Sequence, residues 1–250
     1  MTKYFKFASL AIAASLTVAS PALADSMLFN AADIGKAITL DYNGYSGSGG
    51  ASINGLTGST TFTLTGVSGN DYTFDYSVAN TTSAPVTDSR ISSFAFNTDP
   101  TISGAASTGA YSYTQLNSNY PNGIGTVDVC FKDASTGACA GGGSGGLTAG
   151  QSGTGSFTLS FASPVSALTL SDFYVRYQSI TGVPGITSAS GAGTITSSTS
   201  GGSTTSGGST STGGTPVPEP GMLGLFGAGI IGLALARRRR QVAQVRFAAA

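Results

Sequence analysis

Apolar and polar residues alternate with a period of two through most of the chain between Ala31 and Ile180. Thr61-Phe62-Thr63-Leu64-Thr65 is one such run, and Tyr72-Thr73-Phe74-Asp75-Tyr76-Ser77-Val78 is the next. The turn-forming cluster Gly66 to Asn70 separates them, so the pair predicts a β-hairpin with Phe62, Leu64, Phe74 and Tyr76 facing a core. Val127-Asp128-Val129-Cys130-Phe131, Phe157-Thr158-Leu159-Ser160-Phe161 and Phe173-Tyr174-Val175-Arg176-Tyr177 repeat the pattern. No long stretch of this region carries a helical period, and Gly-, Ser- and Asn-rich segments divide the strands. The expectation is an all-β domain over residues 25–186, an antiparallel β-sandwich of jelly-roll-like type. Its length of about 150 residues is enough to bury a core.

Two apolar runs break the alternation, one at each end. Lys3 and Lys6 precede the apolar stretch Phe7 to Ser20, and Ala22-Leu23-Ala24 then supplies the small-x-small pattern of a cleavage site before Asp25. That order is the order of a secretory signal peptide, over residues 1–24; the competing reading is a buried N-terminal helix. The second run, Gly221 to Ala236, would span about 24 Å as a helix, slightly short of a hydrocarbon core of about 30 Å. Its flanks decide the reading. Pro218 and Pro220 block helix propagation upstream, and Arg237, Arg238, Arg239 and Arg240 follow it. Guanidinium groups are costly in hydrocarbon and collect on the cytoplasmic side, so the domain is expected outside and residues 241–250 inside as a cytoplasmic tail.

Between domain and span, residues 187–215 are almost wholly Ser, Thr and Gly. Such a composition suggests a flexible spacer, with O-glycosylation as an alternative use of its hydroxyls. As a coil it would separate its ends by roughly 30 Å.

The tail in the order Val217-Pro218-Glu219-Pro220, apolar helix, arginine cluster closely resembles the PEP-CTERM sorting signal of Gram-negative bacteria. The resemblance covers about the last thirty residues, and the extension Gln241 to Ala250 departs from it. It implies a partner, an exosortase-type membrane enzyme that cuts near the motif, and a precursor that spans the inner membrane. Two prolines keep the motif extended, as a protease cleft requires. Glu219 would then be a recognition charge. A permanent single-span anchor is the rival reading of the same hydropathy. The Cys130 strand with its following glycine run, and the strand Leu168 to Tyr177, resemble the cistern family of PEP-CTERM proteins, which has no established biochemical activity.

Charge and composition narrow the function further. The chain is neutral overall, but between Asp25 and Pro220 four basic residues face eleven acidic ones, a formal charge of −7. An acidic domain is a poor partner for nucleic acid, because phosphate binding needs basic patches. There is no histidine or tryptophan, and Glu219 is the only glutamate. Without histidine no Ser-His-Asp or Cys-His nucleophile can be assembled, and ordinary zinc sites are hard to build. A glycosidase would have to use two aspartates. No enzyme activity, cofactor or metal is expected. Asp71 and Asp75 point to one side of a strand, where a solvated polar face is preferred to a Ca²⁺ site.

Cys130 and Cys139 are the only cysteines, and export takes them into an oxidising compartment. An intramolecular disulfide is the preferred outcome, with free thiols or intermolecular pairing as the alternatives. The glycine run after Cys139 lacks the Gly-Lys-Ser/Thr ending of a phosphate loop and is expected to form a bulged turn. The Thr61, Thr63 and Thr65 series lacks the stacked repeat of an ice-binding face. Two function classes remain. One is a non-enzymatic component of the cell surface or of an exopolysaccharide, biofilm-type matrix. The other is a carbohydrate-binding, lectin-like module whose exposed tyrosines stack on extracellular polysaccharide. Solvent-facing tyrosines would favour the second, and inward-packed ones the first.

Overall fold

A computed structural model of the chain describes residues 25–47, 50–141 and 144–200. The expected signal peptide with Ala22 and Ala24, the Val217–Pro220 motif, the apolar span and the arginine cluster all lie outside the described residues. Twelve strands form: β1 (Ser26–Phe29), β2 (Ala37–Tyr45), β3 (Ser52–Ser68), β4 (Asp71–Asn80), β5 (Asp88–Asp99) and β6 (Gly104–Ser107). After these come β7 (Tyr113–Tyr120), β8 (Gly125–Lys132), β9 (Leu147–Thr148), β10 (Ser152–Ser160), β11 (Leu168–Thr181) and β12 (Ser188–Ser198).

The expected hairpin is β3–β4. Leu64 pairs with Phe74 and Phe62 with Tyr76. All four side chains are buried, as alternation requires when one face meets a core. The connecting turn contains Gly69 at φ 60°, a left-handed conformation that glycine adopts without Cβ strain.

All strands join one antiparallel sheet in the order β6-β10-β4-β3-β2-β12-β11-β5-β8-β7, with β1 added to β11 and β9 to β5. The sheet folds over at β2–β12, so that its two halves face each other. Phe62 on β3 lies 5.5 Å from Phe94 on β5 and 6.1 Å from Phe173 on β11, ring centre to ring centre. Phe131 on β8 and Phe157 on β10 close to 4.8 Å from opposite halves. The expected all-β antiparallel sandwich is therefore what the chain forms, as one sheet doubled on itself and nearly closed.

The two ends of the sheet, β6 and β7, approach without joining in a backbone ladder. Thr114 Oγ1 donates to Ala105 O across the seam at 3.2 Å. A single 3-10 turn, Gly109–Tyr111, turns the corner between them. Tyr76 Oη donates to Thr108 O at 2.8 Å and accepts from Tyr111 N at 2.7 Å, while the Tyr111 hydroxyl donates to Ile91 O at 2.8 Å. Buried hydroxyls thus hold the corner to both halves.

The domain boundary at residue 186 is corrected by the structure. Ser188–Ser198, placed in the spacer on composition, is a central strand that pairs with β11 on one side and β2 on the other. Its small residues have a packing cause. A Cβ on Gly191 would lie 2.9–3.1 Å from atoms of Val175, Tyr177 and Tyr42, and one on Gly193 would lie 2.8 Å from the Tyr42 ring. The large neighbours fill the space that side chains on β12 would take. At the strand's end Asp25 Oδ2 accepts from Ile195 N at 2.6 Å, so the first residue after the expected cleavage site belongs to the folded domain.

Candidate functional site

Strand β5 is buried from Ile91 to Phe96 without alternation. Phe94 and Phe96 face the main core, and Ala95 belongs to a second cluster with Tyr120, Val127, Cys130 and Cys139. A sheet buried on both faces needs a cover on each. The cover here is the segment after β8, closed by a Cys130–Cys139 disulfide. The preferred cysteine pairing is the one that forms, and closing a loop this short restricts the unfolded chain by about 2–3 kcal/mol.

Two of the domain's cations are used to hold this cover. Lys132 and Arg176 are each only 7% exposed. Lys132 Nζ donates to the carbonyls of Thr136 and Gly137, and Arg176 Nε donates to Ala140 O at 2.8 Å. Ser93 Oγ donates to Cys139 O at 3.1 Å, and Cys139 N donates to Gln115 Oε1 at 2.9 Å. Backbone bonds in both directions between Ala138 and Gly141 turn the loop back, with Gly141 at φ 127° as the glycine run leads one to expect. Burial lowers the Arg176 pKa, and its neighbour Tyr120 partly offsets this. The loop carbonyls thus offset part of the cost of burying these two charges, although Arg176 Nη1 has no hydrogen-bond partner among the described residues.

Beside this cover lies an open-sided cleft of about 420 Å³, lined chiefly by Tyr45, Asn122, Ile124, Tyr174 and Ala192. Its floor is β12, where Ala192 pairs with Tyr174 of β11 and Ser190 pairs with Tyr45 of β2. Its wall is the β7–β8 turn. Asn122 takes φ 63° there, and its Nδ2 donates to Tyr45 O at 3.3 Å and Ser190 Oγ at 3.1 Å. Tyr174 packs on Tyr120 at 6.0 Å between ring centres, and Tyr120 is held by a hydroxyl bond with Ser93 Oγ at 3.0 Å. Burial raises the pKa of both Tyr45 and Tyr174, with Asp172 and Tyr45 adding to the effect at Tyr174. Both cleft phenols therefore remain neutral hydrogen-bonding groups at physiological pH.

Of the residues singled out in the sequence, Asp71 and Asp75 do share the outward side of β4, with Asp75 exposed between inward Phe74 and Tyr76. Among the described residues no group of three or more His, Cys, Asp or Glu gathers where a metal could be held. Six of the nine tyrosines between Asp25 and Pro220 are buried, and only Tyr45, Tyr113 and Tyr174 are not. The cleft residues Asn122 and Ala192 escaped sequence reasoning. Pro121-Asn122-Gly123 does carry the signature of a turn, but nothing local shows that the turn folds over a sheet face.

Residues 216–240 match the family model of the PEP-CTERM protein-sorting motif. The matched stretch contains Val217, Pro218, Glu219 and Pro220 as well as Arg237 to Arg240. No curated protein and no solved structure matches the chain. The motif implies export, a membrane-anchored precursor processed by an exosortase, and a mature form at the cell surface.

Proposed function

We propose that this chain, carrying a PEP-CTERM protein-sorting motif, is a non-enzymatic component of the cell surface or exopolysaccharide matrix. Its tail is an address that is removed on delivery. The match over residues 216–240 is the observation that carries this reading. The folded domain is consistent with it. Lys132 and Arg176 are turned inward onto the disulfide loop, which leaves the outer surface dominated by carboxylates such as Asp41, Asp75, Asp88 and Asp99. Like charge of this kind keeps a domain hydrated and separate from nucleic acid and anionic lipid. Most of the tyrosines are spent on the core, which supports a structural role over a surface covered with stacking platforms.

A chain truncated after Thr215 tests delivery. The full chain is expected in the surface and matrix fraction of the producing bacterium, and the truncated chain in the periplasm or the medium. The same distribution for both would contradict the reading. Incubation of the purified protein with matrix polysaccharide should leave the polymer's size unchanged, and depolymerisation would overturn the non-enzymatic part.

The lectin-like alternative keeps one specific observation in its favour, the pairing of Tyr45 and Tyr174 in a single cleft.

A further inference from the structure

We infer that the cleft between Tyr45 and Tyr174 is a binding site for a neutral pyranose, one residue or a short run of an uncharged polysaccharide. This rests on the surface-component reading and gives it a point of attachment to the matrix.

The register places the parts. Tyr45 on β2 and Tyr174 on β11 rise from the same outer face on either side of β12, Tyr45 level with Ser190 and Tyr174 level with the exposed Ala192 two residues on. Adjacent strands are about 4.8 Å apart and each residue rises about 3.3 Å, so two side chains one strand and two residues apart stand roughly 12 Å apart at their bases. A larger residue at 192 would fill the gap; alanine leaves it open. The volume of about 420 Å³ falls within the range of small-ligand sites, about 300–1,000 Å³.

The Tyr174 ring and the Tyr45 backbone are held before any ligand arrives. Tyr174 is braced by Tyr120, and the Tyr45 main chain is tied to the Asn122 side chain. Pre-set aromatic walls lower the ordering cost of binding, and a tyrosine offers a broad apolar face with few torsions to freeze.

The chemistry of the lining selects the ligand. Phenol faces suit the C–H face of a sugar ring, and their hydroxyls suit the sugar hydroxyls at its edge. Both bonds formed by Asn122 within the protein use Nδ2, which leaves Oδ1 as an acceptor at the cleft wall. Among the described residues no charged side chain lines the cleft. Asp172 stands near enough to raise the Tyr174 pKa, while Lys132 and Arg176 are committed to loop carbonyls. An anionic sugar would therefore meet a carboxylate and no cation. A neutral one meets neither problem.

Affinity electrophoresis of the protein recovered from the cell surface tests this, in native gels cast with a mixed-linkage β-glucan, a galactomannan, an arabinoxylan or polygalacturonate. At least one neutral polymer should retard the protein, and polygalacturonate should not. Ala192→Leu fills the cleft from an exposed strand position without removing any packed group, and should weaken retardation about tenfold, the loss typical of a blocked central contact. Tyr45→Ala should do the same, and Tyr113→Ala, at an exposed tyrosine not among the cleft residues, should change nothing. Thermal melting of each variant separates lost binding from lost folding, and if Tyr45→Ala fails to fold then Ala192→Leu decides. No retardation by any neutral polymer, retardation by polygalacturonate alone, or full retardation of a folded Ala192→Leu protein would overturn the assignment. Those results would leave the delivery test untouched, because fractionation of the truncated chain does not depend on sugar binding.

Discussion

A chain ending at Ile186 is expected to have no cooperative folded state, whereas one ending at Ser200 melts as a single domain. The difference is β12. It sits at the fold-over of the sheet, paired to β2 on one edge and β11 on the other, so its loss parts the two halves where they are joined. Tyr42, Phe173 and Tyr177 pack against its glycines and would be laid open. Exposing three such side chains costs about 1.5–3 kcal/mol each before any lost ladder bond is counted, against a total stability of about 5–15 kcal/mol for a domain. Circular dichroism with thermal melting, run on both truncations of the mature domain, checks this. A cooperative melt from the shorter chain would contradict it. Gly191→Val in the full chain is a milder probe of the same packing. It forces a Cβ against Val175, Tyr177 and Tyr42 and should cost about 1–3 kcal/mol or more.

The same strand marks the limit of what could be read from the chain. The β3–β4 hairpin was legible because its burial is one-sided, and one-sided burial writes itself as alternation. β12 has no such signature. Its residues are small because Tyr42 and Tyr177, far away in sequence, occupy the space above them, so a central strand has the composition of a spacer. β5 hides for the opposite reason: buried on both faces, it has no polar side to alternate with. The disulfide was legible by cysteine count. In the cleft, Tyr174 lies between inward Phe173 and Val175 and so could be placed on the outer face from alternation alone. Its pairing with Tyr45 depends on strand order, which no local pattern encodes.

Unfolding should set in steeply above pH 10. Tyr42, Tyr111, Tyr120 and Tyr177 are buried, and burial raises the pKa of each well above the ordinary phenol value. The unfolded chain releases these protons near pH 10, while the folded chain keeps them. A folded-state pKa that is raised contributes stability that is intact below the unfolded value and is lost as pH climbs beyond it. Each such tyrosine removes about 1.4 kcal/mol per pH unit above 10, and four together remove about 5–6, which rivals the whole stability of a domain. Tyrosinate absorbance and circular dichroism followed together through this range should show Tyr42, Tyr111, Tyr120 and Tyr177 ionising only as the β signal collapses. Ionisation of all nine tyrosines with the β signal intact would show that the core is looser than its packing indicates.

The intact mass of the protein recovered from the cell surface tests the central claim most directly, that the tail is an address and leaves with delivery. The account predicts a chain that begins at Asp25, ends near Pro218-Glu219-Pro220 and is lighter by two hydrogens than its reduced form because Cys130 and Cys139 are joined. A surface-localised protein whose mass still includes Gly221 to Ala250 would contradict it and make the apolar run and its arginines a permanent anchor.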